Sequence, residues 1–323
     1  MSDWLLIDGA QRLLGDACTY EAVQAAESDG WSSSIWNAVA DAGYASLSEL
    51  ALADALALVS VAGEHAAPVP LAEAALAGWL VGESLPGPVS VAPAGDLRLE
   101  HGRLSGSAVR VPWGRAVERI VAVVGGQAVV VAVASAASVE RRTNLAGEPR
   151  DTLVFERAQA DDARPAACDL RERGALTRAA LMAGALTAMA RLTVVYASER
   201  RQFGRPIAAF QAVQHHLVAI AQESSLVSAA ADAAARVPGV FEIAAAKALA
   251  SRAALTATRS AHQVHGAMGM TQEYRLHHFS RRLWAWRSEY GDEQYWAARL
   301  GRAVAAAGAE SLYPAITGGS AAI

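Results

Sequence analysis

The chain has 323 residues, room for about two domains of ordinary size and a sizeable buried core. Its 28 Lys and Arg against 32 Asp and Glu give a net charge of -4, with 53% hydrophobic and 19% charged residues. That balance excludes a disordered chain and leaves no basic surplus for nucleic acid or another polyanion. Cys18 and Cys168 lie far apart with no Cys/His cluster beside either, so neither a disulfide framework nor a structural zinc site is read. The first residues, Met1 to Asp8, carry two acids where a secretory signal carries bases. No apolar run escapes interruption for the roughly 18 residues of a membrane span, since Arg178 and Arg191 stop the richest one, Ala179 to Ala190. The expectation is a cytoplasmic protein without membrane or nucleic-acid partners.

From Trp4 to about Leu80, Ala, Leu and Glu recur with helical spacing, as in Ile35, Val39 and Ala42. Turns at Glu27–Trp31 and Ala66–Pro70 punctuate this stretch, the second ahead of a helix over Leu71–Leu80. At Glu83–Pro88 a Gly/Pro cluster introduces short β-branched runs: Val89–Val91, Val109–Val111, Ile120–Val124 and Ala128–Val133. Gly-rich turns such as Gly125-Gly126 predict that they form a small antiparallel sheet ending near Asp161. No helices alternate with these runs and no GxGxxG follows a strand, so a Rossmann sheet is not read. Beyond Pro165 the pattern is helical over 171–199, 208–235, 240–270 and 291–307, long segments with short connections that predict an antiparallel bundle. The last residues, Gly318–Ile323, read as a frayed tail. The fold class is therefore α+β, mainly α, in three segments: helical residues 1–82, a β domain at 83–163 and a helical bundle at 164–323.

Two stretches carry chemistry. In Tyr196-Ala-Ser-Glu-Arg-Arg-Gln-Phe-Gly-Arg-Pro-Ile207, a helix ending at Arg200 runs into a Phe-Gly-x-Pro turn, projecting a guanidinium and the Phe203 ring from one loop. That pair suits a dinucleotide, whose pyrophosphate takes a bidentate donor. Gln211 and Gln263 offer amides to ribose or adenine, while Gly266 and Gly269, in His262-Gln-Val-His-Gly-Ala-Met-Gly-Met-Thr271, remove side chains where backbone must approach a ligand. His262 and His265 stand at helical spacing, but no third ligand lies near them in sequence, so no metal site is read. Trp284, Trp286 and Trp296 read as packing residues, and Arg281-Arg282 as a solvated pair or a lure for phosphates.

These two stretches, in a helix–sheet–helix order, resemble the flavin-dependent acyl-CoA dehydrogenases. The resemblance implies that Arg200, Phe203, Gln211, Gln263, Gly266 and Gly269 hold the ADP half of an FAD belonging to a neighbouring subunit. It further implies α,β-dehydrogenation of an acyl-CoA, with an electron-transfer flavoprotein as acceptor. Trp113, in Val109-Arg-Val-Pro-Trp113, stands where such proteins often place a tryptophan beside the flavin.

Other family elements are missing. The segment that binds the flavin ring corresponds to Gly87–Asp96 here and lacks most of the family's acidic and hydroxyl groups. The family's catalytic glutamate before a glycine falls on Tyr290, with Glu289 one residue earlier; on a helix that slip rotates a side chain by about 100 degrees. A second place the family uses for the base aligns with Gly174, beside Glu172. A chain keeping the donated half of a shared site and losing the rest resembles the short subunits of heterotetrameric actinobacterial enzymes that act on steroid side-chain CoA thioesters. The expected partner is thus a paralogous dehydrogenase subunit. The alternatives are a self-sufficient homo-oligomer using Glu289 as base, and a non-catalytic scaffold.

Overall fold

The structure, a computed structural model, describes residues 4–318. Residues 319–323 of the expected tail lie outside the described residues, and Gly318 is the last residue of a helix. The chain divides into two compact units. One comprises the chain up to Val59 together with Ala67–Thr177; the other comprises Ser60–Ala66 together with the chain from Arg178 onward.

The first unit opens with helices α1 (Trp4–Ala17), α2 (Tyr20–Asp29) and α3 (Ser33–Asp41), then the start of α4 (Leu52–Glu64) and the whole of α5 (Leu71–Val81). Thr19 and Ser32 cap α2 and α3 by accepting from Ala22 N and Ile35 N, which satisfies donors the helix itself leaves unpaired. Helix α5 is apolar on every side and buried along nearly its whole length, as a core helix must be.

Two sheets follow. Strands β1 (Val89–Ala92), β5 (Arg119–Val124), β6 (Gln127–Ala132) and β9 (Asp162–Pro165) form one, in that order across the sheet. The other has the order β2 (Ala94–Gly95), β4 (Arg103–Pro112), β8 (Arg150–Gln159), β7 (Ser138–Glu140), with β3 (Arg98–Glu100) also on β4. The expectation of a wholly antiparallel sheet is corrected at one pair: β1 runs parallel to β5, with Val89 opposite Arg119 and Val91 opposite Val121. The pairing puts Val89, Val91, Ile120 and Val121 in full burial, the environment in which parallel strands are found. Strand β8 was not legible, because Asp151, Glu156 and Arg157 break its apolar alternation. Leu104, Ala108, Ile120, Val129, Leu153 and Phe155 pack the core beneath the two sheets.

The second unit is helical. Helix α6 (Leu170–Glu199) enters it at Arg178 and is followed by a two-strand hairpin, β10 (Arg201–Gln202) and β11 (Arg205–Pro206). Then come α7 (Gln211–Arg236), α8 (Val240–His265), α9 (Leu276–Trp286), α10 (Glu293–Ala307) and α11 (Leu312–Gly318). Helices α7 and α10 both pack on α8. The buried side of α8 between Ala244 and Ala261 is mostly small, alanines with Ser251, Thr258 and Ser260, so the backbones approach closely; Lys247 is the large exception. Gly63 on α4 and Gly184 on α6 serve the same end. A Cβ on either would overlap backbone of the other helix, at Leu181 and Ser60 respectively. By length and composition α6 would pass for a membrane span, contrary to the sequence reading, yet 61% of its most apolar window is buried inside the protein. The helix expected over 240–270 ends at His265, where Gly266 takes a positive φ that stops it. Trp286 and Trp296 are buried, as expected of packing residues; Arg282 is buried too and is not a solvated charge.

Candidate functional site

The C-terminal ends of α6 and α8 and the start of α7 enclose a groove of about 420 Å³. Its floor is Tyr196 from α6 with Val264 and His265 from α8. The two ends are locked together: the Tyr196 ring stacks on His265 at 4.4 Å between centroids, and the Tyr196 hydroxyl donates to the His265 carbonyl at 3.3 Å. That carbonyl is one of those a helix terminus leaves unpaired. His265 Nδ1 donates to the Ala261 carbonyl at 2.8 Å, which fixes the tautomer, and burial lowers its pKa below the usual histidine value, so the ring is neutral. His262 is shifted the same way by burial, opposed by the Gly269 backbone.

One wall is the hairpin. Its two-residue tip, Phe203-Gly204, has φ of 52° and 79°, the positive values a tight hairpin turn demands. Glycine takes this without cost, whereas a phenylalanine there is strained. The ring stands 91% exposed, edge-on to Phe210 at 6.0 Å, while Arg205 lies over Phe210 at 4.3 Å. The turn is closed by Ile207 N donating to the Arg200 carbonyl at 2.8 Å, which leaves the exposed Arg200 side chain on the rim.

Of the six residues read as nucleotide contacts, the groove gathers Arg200, Phe203 and Gly266. Gly266 lies in open space with φ of 57° and ψ of -136°, so backbone is exposed there for a ligand to approach. Gln211 and Gln263 are exposed and do not line the groove. Gly269 is buried, and a Cβ on it would come within 2.8 Å of the His265 Cβ and 3.2 Å of Leu276, so its missing side chain serves the packing there. Tyr196 and Phe210 were not singled out from the sequence, and His265 was weighed there only as a metal ligand; only a known fold shows that the three meet.

The groove's residues fit the ADP half of FAD. An exposed guanidinium faces the groove beside bare glycine backbone, with aromatic rings at the tip, and among the described residues no acidic one lines it. Trp113 lies elsewhere, in the core of the first unit. It is 4% exposed and its indole N–H donates to the buried Glu73 carboxylate at 3.2 Å.

The remaining candidates lie around the turn between α9 and α10. Glu289 Oε2 accepts from Arg178 Nε at 2.6 Å; the Arg178 side chain is 2% exposed and that of Glu289 is 19% exposed. Tyr290, at φ of 56°, packs its ring 5.4 Å from the same guanidinium. Gly291 follows at φ of 102°, and a Cβ there would come within 2.7 Å of Tyr295 and Trp296. The carboxylate nearest the expected base position is thus already held by a buried cation. Arg178 was missed because nothing in the sequence ties it to a residue 111 positions away. Glu172 sits in the first turn of α6, where Asp169 accepts from its backbone N–H at 2.8 Å, and Gly174 is buried.

The fold is shared with solved acyl-CoA dehydrogenase structures. Residues 171–305 match the family described as acyl-CoA dehydrogenase, C-terminal domain. Over 164 residues, 49% of this chain, the sequence is 30% identical to acyl-CoA dehydrogenase IpdE2 of Mycobacterium tuberculosis (strain ATCC 25618 / H37Rv), and it spans 52% of that relative's length. Among solved structures, a variant of the Tcur3481-Tcur3483 steroid ACAD superposes with a TM-score of 0.83 at 22% identity, covering 94% of this chain and 98% of that one. The ChsE4-ChsE5 complex from Mycobacterium tuberculosis gives 0.80 at 22% identity, over 93% and 96% of the two chains.

Proposed function

We propose that this chain is one subunit of an FAD-dependent acyl-CoA dehydrogenase. It donates the ADP-binding half of a shared FAD site to a paralogous partner and lacks a working base of its own. The observation that carries the reading is the pairing of an open, cation-rimmed groove at Arg200, Phe203 and Gly266 with a turn whose carboxylate, Glu289, is bound to buried Arg178. When bound, the flavin accepts the hydride from the β-carbon of an acyl thioester while a carboxylate takes the α-proton. Arg200 would hold the pyrophosphate and the exposed Phe203 ring would cover the adenine side. The carboxylate and most contacts to the flavin ring come from the partner on this reading. A bulky, steroid-like acyl-CoA is the substrate class, in keeping with the steroid ACAD among the structural neighbours, and an electron-transfer flavoprotein is the acceptor.

The test is the flavin content of the chain purified alone and after co-expression with a full-length paralogue. We expect little flavin alone and stable flavin in the complex. Arg200→Ala should weaken FAD binding by the complex by about tenfold to a hundredfold, the worth of one charge-assisted hydrogen bond. A stoichiometric flavin on the isolated chain, or an Arg200→Ala complex as flavin-loaded as wild type, refutes the shared-site reading.

A further inference from the structure

The chain has a single lysine, Lys247, among its 28 Lys and Arg residues. It lies on α8 and its side chain is fully buried at 0% exposure. Its ammonium nitrogen reaches three acceptors: the Ser251 hydroxyl at 3.0 Å, the Arg287 carbonyl at 2.8 Å and the Gly291 carbonyl at 2.7 Å. The two carbonyls are the ends of the turn that carries Glu289 and Tyr290. Between them Trp296 Nε1 donates to the Tyr290 carbonyl at 3.0 Å. Two consecutive residues of that turn, Tyr290 and Gly291, hold positive φ, and a tyrosine persists there only when its surroundings over-determine it.

We infer that Lys247 is a positioning residue: its three-way donor set pins both ends of the Arg287–Gly291 turn and thereby fixes the conformation that sends Glu289 to Arg178. Arginine, the chain's cation everywhere else, offers a planar fork and cannot place three N–H groups on these three acceptors from one nitrogen. The inference stands on the turn's geometry and not on the flavin reading.

The acceptor set also serves the neutral amine. Ser251 Oγ lies 2.9 Å from the Arg287 carbonyl, so its proton either goes there or turns to the amine lone pair while the two amine protons stay on the two carbonyls. Lys247 therefore sheds its charge without losing the turn. Burial lowers its pKa to about 7; Glu289 and Asp292 favour the charged form, and Arg178 and Arg287 oppose it. Glu289 thus lies near a charged Lys247 in mildly acidic solution and a neutral one in mildly alkaline solution, with Arg178 beside it in both.

Because the chain has one lysine, lysine labelled with ¹³C and ¹⁵N at the ε position gives one side-chain signal in the full-length protein. We expect that signal to titrate near pH 7 while the Trp296 indole N–H stays in place. Glu289→Gln should lower the midpoint further, since it removes the carboxylate that supports the charge; a residue that only fills core volume would not register that change. Lys247→Met and Lys247→Arg should both move the Trp296 and Tyr290 signals, Arg failing to rescue. If neither substitution folds, the response of the Lys247 midpoint to Glu289→Gln still decides. A midpoint indifferent to Glu289→Gln, a Lys247→Met protein with an unmoved turn, or a Lys247→Arg protein with the turn restored overturns the inference; a midpoint near about 10.4 overturns the neutral-amine reading.

Discussion

The Arg178–Glu289 pair lends itself to a double-mutant cycle. At 2.6 Å between Nε and Oε2, with Arg178 side chain 2% exposed, the gross attraction is about 6 kcal/mol at an effective dielectric of about 20. Most of that is offset by the desolvation of Arg178. Glu289→Gln keeps an acceptor of the same shape but removes the charge, taking this countercharge from a buried guanidinium. Breaking such pairs costs about 3–5 kcal/mol, and the partial exposure of Glu289 and the retained hydrogen bond reduce the expectation to about 2–3 kcal/mol. Arg178→Met leaves a carboxylate that water still reaches and should cost less. The double variant should be more stable than the two losses added together, with a coupling above about 1.5 kcal/mol. Urea unfolding followed by circular dichroism reads all four corners of the cycle. Single losses below about 0.5 kcal/mol that simply add would refute the reasoning. They would also mean that Glu289 swings freely and is available as a base.

Three further expectations follow from the packing. Gly184→Ala forces a Cβ into the Ser60 carbonyl and within 2.7 Å of Glu64 N, both backbone; it should destabilise by about 3 kcal/mol, seen as a lowered Tm with the fold retained. Trp113→Phe removes the donor to buried Glu73 and should cost about 1–3 kcal/mol; restoration by Glu73→Leu in the same chain would confirm the cause, and a silent single variant would dismiss it. Stability should decline as pH falls below about 6.5, because His65, His262 and His265 all have pKa values lowered by burial. In that window the unfolded chain binds protons that the folded chain refuses, so folding is favoured above it and loses ground below it. Urea midpoints measured between pH 5 and pH 8, at roughly the interval over which histidine titrates, would expose a flat profile if the reasoning fails.

What could be read beforehand follows the range of the interactions. Ala- and Leu-rich helices announce themselves locally, so 171–199 and 291–307 are seen as α6 and α10 within a residue or two. Helix α9 was hidden by His277-His278 and Arg281-Arg282, although Leu276, Phe279, Leu283 and Trp286 keep helical spacing; that stripe was a usable signal. The parallel pairing of β1 with β5 was not legible, since strand direction depends on a partner thirty positions on. In the groove, the loop chemistry of Arg200, Phe203 and Gly266 was visible in the motif itself. The packing role of Gly269 was not, because a glycine that admits a ligand and one that admits Leu276 look alike in sequence. The capture of Glu289 by Arg178 was out of reach for the same reason, being settled by the approach of α6 to the α9–α10 turn.

The isolation of Lys247 also governs how any assembly of this protein is to be mapped. With its one lysine fully buried, the chain presents no surface side chain to amine-directed cross-linkers, biotinylation reagents or lysine-specific proteases. A binding partner would give no lysine-to-lysine links to it, however tight the contact. The exposed arginines and carboxylates are the handles instead, Arg200 at the groove rim foremost among them. An arginine-directed dicarbonyl would report occupancy of the rim by the protection it meets there.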